Sequence, residues 1–161
     1  MSLTARLAIG LRCFTDYCFK LELRHPEIDA FLDCLWRFPL TMSSPDSFAA
    51  WENTQPHLVD VGLGDEFSAD FLSFLHGVGV SDTDFRHVVE SLIEIVFSSL
   101  YGGAQNEQSL DFLHSVIAAT ALFDVWPPPP NLFSTSLFVD NHGWGKPLSN
   151  DECNRWRTLN Y

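Results

Sequence analysis

Positive charge is what this chain has least of. Nine Lys and Arg stand against twenty-one Asp and Glu, a formal net charge of −12 at pH 7 with a pI near 4.6. Such a surface repels phosphate backbones, which disfavours direct binding of nucleic acid or of an anionic membrane. No run reaches the roughly 18 consecutive apolar residues of a membrane-spanning helix. The first residues, interrupted by Arg6, Gly10 and Arg12, form no long apolar signal region and offer no small-residue cleavage site. Secretion is disfavoured on that ground and the expected compartment is the cytoplasm. Cysteines are few: Cys13, Cys18, Cys34 and Cys153 form no CxxC pair and have no neighbouring His at zinc-ligand spacing. They read as reduced core residues, the alternative being a zinc site assembled from distant segments.

Catalytic signatures are missing too. There is no GxSxG and no glycine elbow beside a serine. The glycine-punctuated run Asp60-Val61-Gly62-Leu63-Gly64-Asp65 reads as a loop, and its acids would repel a phosphate instead of cradling it. No cofactor is expected and the chain reads as non-catalytic; a hydrolase or metalloprotein, with partners drawn from distant segments, is the minor alternative.

What is present is apolar and aromatic. Of 161 residues 46% are hydrophobic, with 14 Phe, 5 Trp and 3 Tyr, the composition of a packed protein. A single domain over residues 1–161 would bury about 70% of its unfolded surface. The expected class is all-α: a compact bundle of about six helices with a proline-rich strap and an irregular C-terminal segment.

The periodicity supports that class. Leu7, Leu11, Phe14, Cys18 and Leu21 recur at helical steps, so a long first helix is expected from Leu3, although the alternation over Tyr17 to Arg24 also suits a strand. Pro26 opens a second helix and Pro39 should stop it. Ser44-Pro45 starts a short helix to about Asn53, and Phe67, Phe71, Leu72 and Leu75 mark another ending near Gly77. Ser81 with Asp84 starts a helix through Leu100 that Gly102-Gly103 terminate, and Asn106 caps a second through Leu122. The two should pack as an antiparallel hairpin. Pro127 to Pro130 favour a stiff extended strap, with Trp126 packing beneath it. Ser149 and Glu152 cap a short final helix carrying Trp156.

The hairpin carries two polar trios, His87, Glu90 and Glu94, then Glu107, Asp111 and His114. Asp111 and His114 match the carboxylate-x-x-His element of di-metal bundles, but the first trio falls opposite Val88, Leu92 and Val96, whereas a bundle metal site projects inward. Solvated faces explain both, and no metal ligand is assigned. Trp144, flanked by Gly143 and Gly145, reads equally as a partner anchor or a packed ring.

Charge is unevenly spread. From Glu27 to Asp124 there are sixteen carboxylates against Arg37 and Arg86, a local balance of −14. That stretch points to a basic protein partner, with a merely solvating surface as the competing reading. The expected binding residues are Asp65, Glu66, Asp70, Glu90, Glu94, Glu107, Asp111 and Trp144.

Ser99-Leu100-Tyr101-Gly102, Asn106-Glu107, Ser109-Leu110, Phe133-x-x-Ser136-x-Phe138, Gly143-Trp144-Gly145 and Trp156-Arg157 give the C-terminal half a resemblance to small acidic immunity proteins of bacterial toxin systems. The resemblance implies a one-to-one inhibitor whose acidic surface occupies the basic cleft of a toxin such as a nuclease. No residue role is carried over from it.

Overall fold

The computed structural model describes residues 1–42, 44–100, 107–136 and 141–161. Among them the chain is all-α. Its helices are α1 (Leu3–Lys20), α2 (Pro26–Thr41), α3 (Pro45–Glu52), α4 (His57–Gly62), α5 (Ala69–Gly77), α6 (Asp82–Leu100), α7 (Gln108–Ala121) and α8 (Asn150–Arg157), with 3-10 turns at Pro130–Ser136 and Asn141–Gly143. Eight α-helices exceed the six expected, in part because α4 occupies ground read as loop. No helix among the described residues is long and apolar enough to cross a membrane.

Helix α1 is the axis of the fold. The sequence suggested one apolar face, yet Leu3, Leu7, Leu11 and Phe14 are buried together with Ala5, Ile9, Cys13, Tyr17 and Cys18, which point elsewhere around the helix. A helix apolar all round is surrounded by others, and α1 touches α2, α6, α7 and α8. Its strand-like end is resolved in favour of helix. Leu23 N–H donates to Cys18 O at 2.8 Å and Glu22 adopts φ +55°, a left-handed C-terminal closure.

The core around α1 is aromatic. Phe14 meets Phe31 edge-on at 5.7 Å and Phe85 at 5.7 Å, while Phe85 meets Phe71 at 5.4 Å, tying α1, α2, α5 and α6 together. Each such pair contributes about 0.5–1.5 kcal/mol beyond its buried area. Trp51 closes a second cluster with Phe38, Phe48 and Phe97, and its indole N–H donates to Cys34 O at 2.8 Å. That ring is part of the core.

The capping chemistry was legible. Ser44 Oγ accepts from Ser47 N–H at the start of α3, and Ser81 Oγ accepts from Asp84 N–H at 3.3 Å. Ser149 and Glu152 form a reciprocal capping box on α8. The expected Gly102-Gly103 stop and Asn106 cap lie outside the described residues, but α6 and α7 do pack closely along their lengths.

Four expectations are corrected. Pro39 does not end α2, which runs on to Thr41: Phe38, Pro39 and Thr41 are buried, and Thr41 Oγ1 donates to Phe38 O at 2.7 Å. With so little helix beyond Pro39, the lost hydrogen bond is offset by that packing. Asp60, Val61 and Gly62 belong to α4, because Leu58, Val59 and Val61 bury against the body and hold the segment helical. Trp126 is 68% exposed and does not pack under the prolines; Val125 and Pro128 are buried there instead. Pro130 already belongs to a 3-10 turn, so the extended strap is shorter than its four prolines.

Candidate functional site

Arg86 organises the acidic side of the molecule. From the first turns of α6 its guanidinium donates to Val61 O at 3.3 Å and to Asp65 O at 2.9 Å, and pairs with Glu66 at 3.4 Å and Glu90 at 3.7 Å. It also covers the Phe67 ring at 4.6 Å. One cation thus fastens the α4–α5 connection to α6 and gathers Asp65, Glu66 and Glu90 around itself.

Beside this staple runs a groove of 370 Å³, with Gly62, Leu63 and Gly64 on one side, Glu90 and Glu94 of α6 between, and Phe112 and Ser115 of α7 on the other. His87 and Ser115 also line an adjoining cavity of 440 Å³ that extends past Asp84 to Tyr17 and Leu122. The walls combine carboxylates with exposed apolar surface: Leu63 is 49% exposed and Leu122 83%. Glu90 and Glu94, expected on an open solvated face, are half-buried in this groove because the α4–α5 connection folds over them.

The structure brings together only part of the expected set. Glu90 and Glu94 line the groove, whereas Asp65 and Glu66 meet Arg86 beside it, Asp65 through its backbone carbonyl and Glu66 through an exposed carboxylate. Asp111 is exposed one turn before Ser115, whose hydroxyl donates to its carbonyl at 3.1 Å, so it flanks the α7 wall. Asp70, in the first turn of α5, and Glu107, just before α7 with no capping bond, are exposed and do not line the groove. Trp144 lies apart. It is half-buried, 6.0 Å from the Phe38 ring, and its carbonyl accepts from Thr4 Oγ1 at 2.7 Å. Gly145 after it has φ +91° and lies so close to Ser2 and Ser136 that a side chain would not fit. Packing accounts for Gly145, while the Trp144 ring stays half-buried and lines a cavity of 430 Å³ with Phe38, Met42 and Phe48. Sequence reasoning missed Leu63, Phe112 and the role of Arg86; the i, i+4 pairing of Arg86 with Glu90 was the one signal available.

No three His, Cys, Asp or Glu side chains among the described residues converge as metal ligands would. The four cysteines are buried thiols. Burial, seconded by Asp16, pushes Cys13 up to about 12, and burial likewise raises Cys18, Cys34 and Cys153. None resembles an activated nucleophile, whose pKa would be lowered.

Fold and groove together define an all-α protein with an acidic, partly apolar recess between two helices. No family model, curated protein or solved structure matches the chain.

Proposed function

We propose that the chain is a non-catalytic binding protein of the immunity type, which inhibits a basic toxin such as a nuclease by covering its active site. The observation that carries this reading is the placement of Glu90 and Glu94 along one groove, beside Arg86, which is already engaged by Glu66 and Glu90. A lysine or arginine of the partner entering the recess would meet carboxylates at its tip and Leu63 or Phe112 along its stem. Complementary charge also speeds encounter toward about 10⁸–10⁹ M⁻¹s⁻¹ at low salt, which suits an inhibitor that must outrun a lethal enzyme.

The test is capture of basic bacterial nuclease-toxin domains at low and high salt, with Glu90→Lys/Glu94→Lys beside a control Asp46→Lys/Glu52→Lys on α3. Binding that weakens with salt and drops at least about ten-fold in the α6 variant alone supports the reading. Salt-insensitive binding, or equal loss in both variants, removes it. A helical adaptor with a solvating surface is the second reading. It draws on Asp33, Asp46 and Glu52, which belong to the same acidic stretch yet do not line the groove; charge reversal at Glu90 and Glu94 that leaves a partner bound would favour it.

A further inference from the structure

The groove beside Arg86 and the adjoining cavity share His87 and Ser115, so the two form one trough along the seam between α6 and α7. Glu94 and Phe112 line one end, Asp84 and Leu122 the other, the order that an antiparallel pair imposes. From Asp84 to Glu94 α6 rises about 15 Å at 1.5 Å per residue. Both walls are helical ridges, with lining residues at steps of three and four: Asp84, His87, Glu90 and Glu94 on α6, then Phe112, Ser115, Ala119 and Leu122 on α7. A furrow of this kind accepts the ridge of a third helix at an axial separation of about 8–10 Å. The short side chains of Ser115, Ala118 and Ala119 leave that approach open in the middle.

Acid and apolar surface are segregated in the trough. The carboxylates all stand on α6, whereas the α7 wall is small or apolar and ends in Leu122, which is 83% exposed. Arg86 engages Glu90 and leaves Asp84 and Glu94 without an ion pair among the described residues. The occupant that complements these walls carries Lys or Arg on one stripe and apolar side chains on the next. A second copy of the chain does not qualify, since it would bring a net charge of −12 and the same acids to the same face. An extended segment fits less well. Only every second side chain would point into the trough, and its backbone groups would find no sheet edge, there being no strand among the described residues. A helix satisfies its own backbone and keeps one face turned to the furrow.

We propose that the trough between α6 and α7 seats a basic amphipathic helix of about three turns, its apolar stripe on Ala118, Ala119 and Leu122 and its cations against Asp84 and Glu94. This rests on the reading of the groove as the seat of a basic partner, and names the element of that partner which enters it. The probe is a fluorescein-labelled peptide of about 15 Leu, Ala and Lys residues, held helical by an i, i+4 lactam, with leucines and lysines on adjacent stripes. Its comparison has the same composition with leucine and lysine alternating, which is amphipathic only when extended. Fluorescence anisotropy at low salt should show the helical peptide saturating below about 100 µM and at least about ten-fold tighter than the alternating one. Leu122→Gln and Asp84→Asn/Glu94→Gln should each weaken it by about five-fold or more, the second with a shallower salt dependence, while Asp46→Asn/Glu52→Gln on α3 changes it by less than about two-fold. Equal affinity for the two peptides, no saturation up to about 1 mM, or unchanged binding in either trough variant overturns the proposal. So does a dimer, seen by sedimentation, that Leu122→Gln abolishes, because the occupant is then a second copy. The two readings fail separately: a captured toxin domain that the helical peptide does not displace keeps the inhibitor and removes the helix, whereas peptide binding without toxin capture does the reverse.

Discussion

Replacing Gly62 with alanine tests how α4 is held against the body. Gly62 lies in the last turn of α4, and a Cβ built there would stand 2.5 Å from Ile93 Cγ1, 3.1 Å from Ile93 Cβ and 3.4 Å from Val89 Cγ1. Ile93 is fully buried, so its branch point cannot swing aside. Overpacking of this kind costs about 1–3 kcal/mol, offset by at most about 1 kcal/mol of improved helix propensity. The net expectation is a loss of about 1–2 kcal/mol, or a Tm lower by about 2–8 °C. Gly77→Ala is the control, because nothing lies within 4 Å of its Cβ position; it should be neutral or stabilising by up to about 1 kcal/mol. Urea denaturation at constant m value reads both. Ile93→Ala removes the colliding atom and by itself costs about 2–5 kcal/mol, so Gly62→Ala combined with Ile93→Ala should cost less than the sum. A Gly62→Ala protein as stable as the Gly77→Ala control, or strict additivity in the pair, would refute the close packing of α4 on α6.

Alkaline pH should destabilise the protein through its buried thiols. The folded pKa of Cys13 is raised to about 12 and that of Cys18 is raised by burial, whereas an unfolded thiol ionises near 8.5. Their contribution is complete below about pH 8.5 and is lost as pH climbs from there toward the folded values. The urea midpoint should therefore hold from pH 7 to 8 and correspond to at least about 1 kcal/mol less stability by about pH 9.5; an unchanged midpoint sinks this account. Trp51→Phe keeps most of the ring packing but leaves Cys34 O without its indole donor, and should cost about 1–3 kcal/mol by the same denaturation assay. Ser149→Ala removes the hydroxyl half of the capping box on α8 and leaves the backbone N–H of residue 149 donating to Glu152; it should cost about 1 kcal/mol, read as faster amide hydrogen exchange within α8 than in α1.

Local physics was readable along the chain. The caps at Ser44, Ser81 and Ser149, the proline at the head of α2 and the 3.6-residue spacing of α6 and α7 depend on a few neighbours, and the all-α class follows from them. The sixteen carboxylates of the middle stretch were equally visible, but not their arrangement. Asp33 turned to Arg157 on α8, while Asp65, Glu66 and Glu90 gathered on Arg86. Except for the i, i+4 pair Arg86–Glu90, such partners are far apart in sequence or sit on separate elements, and no periodicity reports them.

Tertiary packing decided the remainder. Burial on every side, not amphipathicity, made α1 the centre of the bundle, since the demand comes from the four helices that enclose it. Packing held α2 helical past Pro39 and made a helix of Asp60 to Gly62, where local propensity argued for a break and a loop. It turned Trp126 outward and Trp51 inward, although both aromatic residues looked alike as letters. The residues alone settled composition, charge and helical rhythm because those depend on near neighbours. Which carboxylates share a groove emerged only once distant helices had closed on one another and excluded water.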